Sequence, residues 1–404
     1  MPAHRPARAP VALRRGALLS LHLVAACGET GDASGPGTTG TPPGTTTGIT
    51  TSTTSTTATP TTDASTSNDA TTDATPTGDA GTTSTTSTIS STADTTSSAA
   101  SDDTTGEILE TICAPWPAPA SPYDQSVVPI EVEPQDPAAV KIVLVAGAAS
   151  LDHPPGAHEF FAGTALFARM LCQVPGVVPV LVKDGWPANE QVFVGAAAIV
   201  FYLDGRDAHP LTDPAKYAAL APAIAAGAGF VNLHYAVDYH PALGAQILPW
   251  LGGYYEDGYS VNPIWQAHYA DLPAHPVTNG VDPLTINDEW YYNMRWLDGM
   301  PGITAILEDV PPEETRTTPD TQAHPGRSEI TAWTFDRPDG GRGFGSTGGH
   351  WYGNWIDSVD TPDAAKLRRI VVNGILWSAN VPVPPEGAPV TLDPADQGMY
   401  LDTK

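Results

Sequence analysis

The chain has 404 residues, with 18 Lys and Arg against 45 Asp and Glu, and a formal net charge of −27 at pH 7. That balance excludes the clustered cationic footprint that phosphate backbones require, so no nucleic-acid partner is expected. Small neutral substrates or cations suit such a surface better.

At the N-terminus, Arg5, Arg8, Arg14 and Arg15 precede an apolar stretch from Gly16 to Ala26. At about 1.5 Å per residue this is too short to span a bilayer, so residues 1–26 read as a signal peptide. It ends in Val24-Ala25-Ala26-Cys27, which resembles a bacterial lipobox. The expectation is therefore an exported protein anchored to the membrane by lipid on Cys27; a chance cysteine in an ordinary secretory signal is the alternative. Gly28 differs from the aspartate of an inner-membrane retention signal, which favours the outer membrane or cell surface. Arg14-Arg15 is a weak match to a twin-arginine signal. Residues 27–107 are Thr, Ser, Gly, Ala and Pro with scattered Asp. Such a composition buries too little apolar surface to offset ordering entropy, and a disordered stalk is expected. Cys113 and Cys172 remain, either as a disulfide tying the start of the domain to its first helix or as free buried thiols.

Residues 108–385 suffice for one domain, followed by a tail at 386–404. Strands are predicted at 141–146, 177–182, 197–203 and 229–233, and helices at 159–172, 216–226 and 363–379; later strands fall at 303–307, 329–335 and 342–346. The alternation implies an α/β fold, an open doubly wound and mostly parallel sheet. Ligands in such sheets bind outside the carboxyl ends of the strands, and the loops at 147–158, 204–209 and 234–240 therefore converge on one edge.

The residues suited to chemistry lie beside Gly, Pro or Asn. His158 and Glu159 open the first helix, as acid/base or ligand groups or, for Glu159, as a complement to the helix dipole. His153 is a secondary candidate on the same loop. His234 ends an apolar strand, either as a core histidine or as a proton-transfer group whose pKa is near neutrality. Asp238 and His240 further on suit the surface better. Asp288, Glu289, Trp290 and Tyr291 combine acids with flat rings, as a sugar's hydroxyls and C–H face require. In the alternative an acid pairs with Arg295 and Trp290 is core. Asn262 and Trp265 line or pack that site. Arg342, among glycines, presents a donor fork or belongs to a hairpin turn. His350 and Trp351 close the series at a strand end. His158, His234 and His350, with Glu159 or Glu289, are candidates for a divalent-metal site, although their spacing fits a hydrogen-bond network as well.

In order, the segments at 152–160, 229–234, 250–253, 275–278 (His-Pro-Val-Thr), 288–291 (Asp-Glu-Trp-Tyr) and 348–350 resemble the ThuA-like (trehalose utilisation) family. The resemblance covers nearly the whole domain and implies a fold similar to class I glutamine amidotransferases, with sugar metabolism as the setting. Where that fold carries a nucleophilic Cys, the equivalent turn here is Leu233-His234-Tyr235, so no glutaminase activity is expected. Tyr235 or Ser346 would replace the thiol only with a base in reach. The expectation is a sugar-active enzyme performing isomerisation, elimination or hydrolysis on a keto-sugar or glycoside. His158 or His234 would move the proton, Glu289 would be the carboxylate partner, and Arg342, Trp265 and Trp351 would hold the ring. A non-catalytic carbohydrate-binding lipoprotein is the alternative.

Overall fold

The structure, a computed structural model, describes residues 110–151, 153–351 and 361–402. The expected signal peptide, Cys27 and the stalk lie outside the described residues. In chain order the elements are β1 (Val140–Ala146), α1 (Phe160–Leu171), β2 (Val177–Val182), β3 (Ala198–Tyr202), α2 (Pro214–Ala225), β4 (Gly229–Leu233), α3 (Pro241–Leu251), β5 (Gly253–Tyr254), β6 (Ile264–Tyr269), β7 (Leu284–Glu289), β8 (Arg295–Trp296), β9 (Ile303–Asp309), α4 (Pro319–Ala323), β10 (Glu329–Asp336), β11 (Arg342–Ser346) and α5 (Pro362–Ser378).

The central sheet has the order β2-β1-β3-β4-β11-β10-β9. Strands β2, β1, β3, β4 and β11 run parallel, and β10 is antiparallel to both β11 and β9. The expected open, doubly wound and mostly parallel α/β sheet is thus the observed one. Continuous apolar runs make its inner strands because both faces are covered. Along β1, Ile142, Leu144 and Ala146 pack with α1 and α5, while Val143 and Val145 face the layer that holds Leu220 and Ile224 of α2 and Ile247 of α3. Helix starts follow local chemistry: Asp213 caps α2 by accepting the Ala215 N–H, Thr361 does the same for Ala364 in α5, and a proline follows each cap.

Helix α3 and the β6–β7 hairpin escape the periodicity, as do the short β5, β8 and α4. Helix α3 begins at Pro241 and contains Pro249, which obscures its pattern. The β6–β7 hairpin is joined by a long connection in place of a short turn signal; in β6 Trp265, Ala267 and Tyr269 are buried and their neighbours exposed. This hairpin carries Asp288 and Glu289 to the end of β7.

The segment after Pro385 corrects the expected tail. Ala388, Val390, Leu392, Tyr400 and Leu401 are part of the core, and Tyr400 meets Trp116 edge to face with ring centres 5.5 Å apart. Cys113 and Cys172 form a disulfide, Cα atoms 5.3 Å apart, across 59 residues of sequence. Chain-entropy reasoning gives such a crosslink about 4 kcal/mol.

Candidate active site and cation centre

Four of the parallel strands deliver the site. The loop after β1 ends at His158, Asp204 follows β3, His234 follows β4, and residues 347–350 follow β11. Adjacent strands β1 and β3 carry connections in opposite directions, the topological switch at which such sheets bind ligands. The β6–β7 hairpin adds Glu289 and Asp288 from the side.

His234 occupies the turn at which a related fold would carry a nucleophile, and its φ of 53° is left-handed. A non-glycine residue in that region is held by its surroundings. Asn232, buried on β4, donates to the Ala236 carbonyl and to the Tyr239 hydroxyl, which fixes the turn from below. Gly349 is required from above, because a Cβ there would fall 2.2 Å from the His234 ring.

Side chains of His158, His234, Glu289 and His350 converge, with one donor atom from each lying within 4.8 Å of the others, all buried. Nε2 of His158 is 3.2 Å from Nε2 of His234, and Nε2 of His234 is 3.4 Å from Oε2 of Glu289. Two of the outward nitrogens are held. His234 Nδ1 lies 2.7 Å from the Thr347 carbonyl oxygen, which requires Nδ1–H and directs the Nε2 lone pair inward. His350 Nδ1 lies 2.5 Å from Asp288 Oδ1, and Asp288 Oδ2 accepts the Gly349 N–H at 3.0 Å. His158 Nδ1 faces Asp204 Oδ1 at 3.7 Å.

This donor set fits a divalent cation. Ligands about 2.0–2.1 Å from a tetrahedral ion stand about 3.3 Å apart, near the spacings seen between the inner donors. The acceptors behind the imidazoles are those that orient metal-bound histidines. Burial works against a charged His234, but hydrogen bonding and attraction from Glu289 outweigh it and raise the His234 pKa. Burial likewise opposes ionised Asp288, and His350 overcomes it, so that carboxyl is held below its usual range.

Asn262 donates to Glu289 Oε1 at 3.0 Å and joins the site. Tyr291 stands with its ring 4.9 Å from that of His234. Tyr235 lies 5.6 Å from the His158 ring and 6.4 Å from Tyr291, and Tyr255 lies 5.2 Å from Tyr291. These tyrosines are the rings grouped beside the centre. Of the rings expected to line the site, Tyr291 is brought beside it and the tryptophans are not: Trp290 packs on Tyr269, Trp351 on Phe167 and Tyr202, and Trp265 belongs to the same core. Glu159 also stands apart. Its oxygens accept the Gly156 N–H at 3.0 Å and the Asp402 N–H at 2.5 Å, so it ties the first loop to the C-terminal segment. Arg342 begins β11, at the opposite edge of the sheet, where it donates to the Trp377 carbonyl at 2.7 Å. His240 pairs with Asp207 in solvent. Asp204, Tyr255 and the orienting role of Asp288 were missed; position just past a parallel strand was the available signal for Asp204.

Fold and site define a flavodoxin-like α/β protein with a histidine-carboxylate centre above its parallel strands. The family model described as trehalose utilisation, ThuA, matches residues 157–378. The chain belongs to the ThuA family, which ties it to carbohydrate metabolism. Among solved structures it is similar to a ThuA-like protein from Parabacteroides merdae, at 17% identity over 66% of this chain and 100% of that one, with a TM-score of 0.42. A ThuA-like protein from Bacteroides uniformis gives 16% identity over 60% and 93%, also at 0.42. No curated protein matches.

Proposed function

We propose that this ThuA protein is an exported, sugar-active enzyme in which His158, His234 and His350 hold a divalent cation, with Glu289 beside it, next to a keto-sugar or glycoside. The convergence of four buried donors carries the reading. A bound divalent ion would polarise a carbonyl or activate water. Two of the three imidazoles, His350 and His234, hold their lone pairs inward, because Asp288 and the Thr347 carbonyl fix them by their other nitrogens. Glu289, oriented by Asn262, is the carboxylate positioned to take a proton α to a sugar carbonyl or to pass one to a leaving oxygen. Tyr235, Tyr255 and Tyr291 offer the flat apolar surface for the ring. Isomerisation, elimination and hydrolysis all use these parts.

Export rests on the N-terminal pattern and is supported by the Cys113–Cys172 disulfide, which suits an oxidising compartment. Lipid on Cys27 would anchor the chain; labelled fatty acid incorporated by the wild type and absent from Cys27→Ser is the expected result. For the chemistry, metal-free protein is resupplied with divalent ions and incubated with disaccharides and their 3-keto derivatives, followed by NMR. Metal-dependent product from a keto-sugar is expected. Ligand line broadening without product would replace catalysis by binding.

A further inference from the structure

We propose that His158 bridges two cation sites, the second built from His153, His158 and Asp204. The proposal rests on the four-residue centre being a cation site and adds a neighbour to it. One donor atom from each of these three residues lies within 4.8 Å of the other two. The imidazole is rigid and its nitrogens diverge: Nε2 stands 3.2 Å from His234 Nε2 in the first centre, while Nδ1 stands 3.7 Å from Asp204 Oδ1. The rings of His153 and His158 are 4.2 Å apart at their centres.

Spacing sets Asp204 apart from the acceptors behind the other two imidazoles. Those stand at 2.7 Å and 2.5 Å, at hydrogen-bond length, whereas 3.7 Å is nearer the edge of a tetrahedral coordination shell, about 3.3 Å. Asp204 and His153 are also held as a unit. Ser150, itself buried, donates through Oγ to Asp204 Oδ1 at 2.7 Å and lies 2.7 Å from His153 Nδ1. Each site then has one carboxylate, Glu289 or Asp204, with the His158 ring shared. A ring bound at both nitrogens is an imidazolate: its remaining N–H proton leaves to solvent and one negative charge is spread between the two cations. Imidazole and carboxylate donors of this kind suit Zn²⁺ or Cu²⁺.

The full chain is stripped with chelator, saturated with Zn²⁺ or Cu²⁺, and its bound metal counted. Two equivalents per chain are expected, falling to one in Asp204→Asn and in His153→Gln, with unchanged far-UV circular dichroism. His153→Gln is the decisive variant if Asp204→Asn does not fold, because His153 is only partly buried. In the dicopper form the bridge predicts magnetic coupling, so the EPR intensity falls below the copper content. One equivalent that survives both substitutions but is lost in His350→Ala would overturn the second site and leave the first standing. One equivalent lost in His153→Gln and kept in His350→Ala would overturn the bridge together with the four-residue centre, as would no bound metal at all.

Discussion

Arg342 and His350 flank the two ends of one short strand, each set among glycines, yet their surroundings differ in kind. At the Arg342 end polar groups are used up by the scaffold: Arg342 and Arg337 donate to the carbonyls of Trp377, Ala228 and Ile224, and His275 caps a turn by accepting the Val277 N–H. A groove of 510 Å³ opens beside His275, but its lining holds no carboxylate. At the His350 end the polar groups face one another, and the scaffold holds them from behind. Parallel strands decide which end becomes which, because connections at their carboxyl ends bring successive loops to one place.

The sharpest test of this contrast substitutes across it. His234→Ala is expected to lower turnover of whichever keto-sugar is processed by about 10²–10⁴-fold, the usual worth of a proton-transfer or ligand group. Arg342→Ala should leave turnover unchanged and cost about 1 kcal/mol for one lost hydrogen bond. Equal losses at both ends would erase the distinction. Glu159 lies beside His158 in sequence but serves the scaffold, so Glu159→Ala should destabilise by about 3 kcal/mol in urea unfolding, two charged hydrogen bonds being lost, with metal content intact. Reduced metal content in the folded variant would return Glu159 to the site.

A subtler change leaves every ligand in place. Asp288→Asn removes the charge behind His350 and is expected to weaken Zn²⁺ binding about 10–100-fold in competition with a chelator. Unaltered affinity would mean that Asp288 only pins the Gly349 and His350 backbone.

Much of the parallel sheet was legible because buried strands such as β1 and β4 are apolar runs bounded by glycine and loops. Strand order then brings His158, His234 and His350 together with no help from local spacing. The unread parts are those whose meaning is set across the fold. Whether Trp290 or Tyr291 stands beside His234 is set by the hairpin that precedes them, which gave no turn signal, and Glu159 acquires its partner from Asp402, 243 residues away. Asp204 carries no motif of its own. The C-terminal segment reads as a tail because the alternation of Ala388, Val390 and Leu392 is short and interrupted by Pro389, between Pro385 and Pro394, and so does not announce a core contribution.

The smallest effect concerns two histidines that are equally inaccessible. His209 and His234 are both 0% exposed, but only His234 has a carboxylate beside it. His209 lies between Phe201 and Tyr239 and accepts the Leu211 N–H through Nδ1; burial pushes its pKa down to about 3. Between that value and the ordinary 6.5 the unfolded chain takes a proton that the folded chain refuses. The stability due to neutral His209 is therefore complete above pH 6.5 and declines as pH falls below it. Going from pH 7.5 to 5.5 should cost about 1.4 kcal/mol through this group. His234 runs the other way: its folded pKa is raised, so its contribution is full below 6.5 and lost as pH climbs through the folded value. The two partly cancel in the wild type, and only a difference isolates either. Asn at position 209 keeps an acceptor for the Leu211 N–H and cannot titrate. Urea unfolding of His209→Asn should therefore show about 1.4 kcal/mol less loss than wild type between pH 7.5 and 5.5. Parallel pH profiles would mean that His209 takes up its proton in the folded chain at the same pH as in the unfolded one, and that a buried histidine here needs no carboxylate to hold a proton.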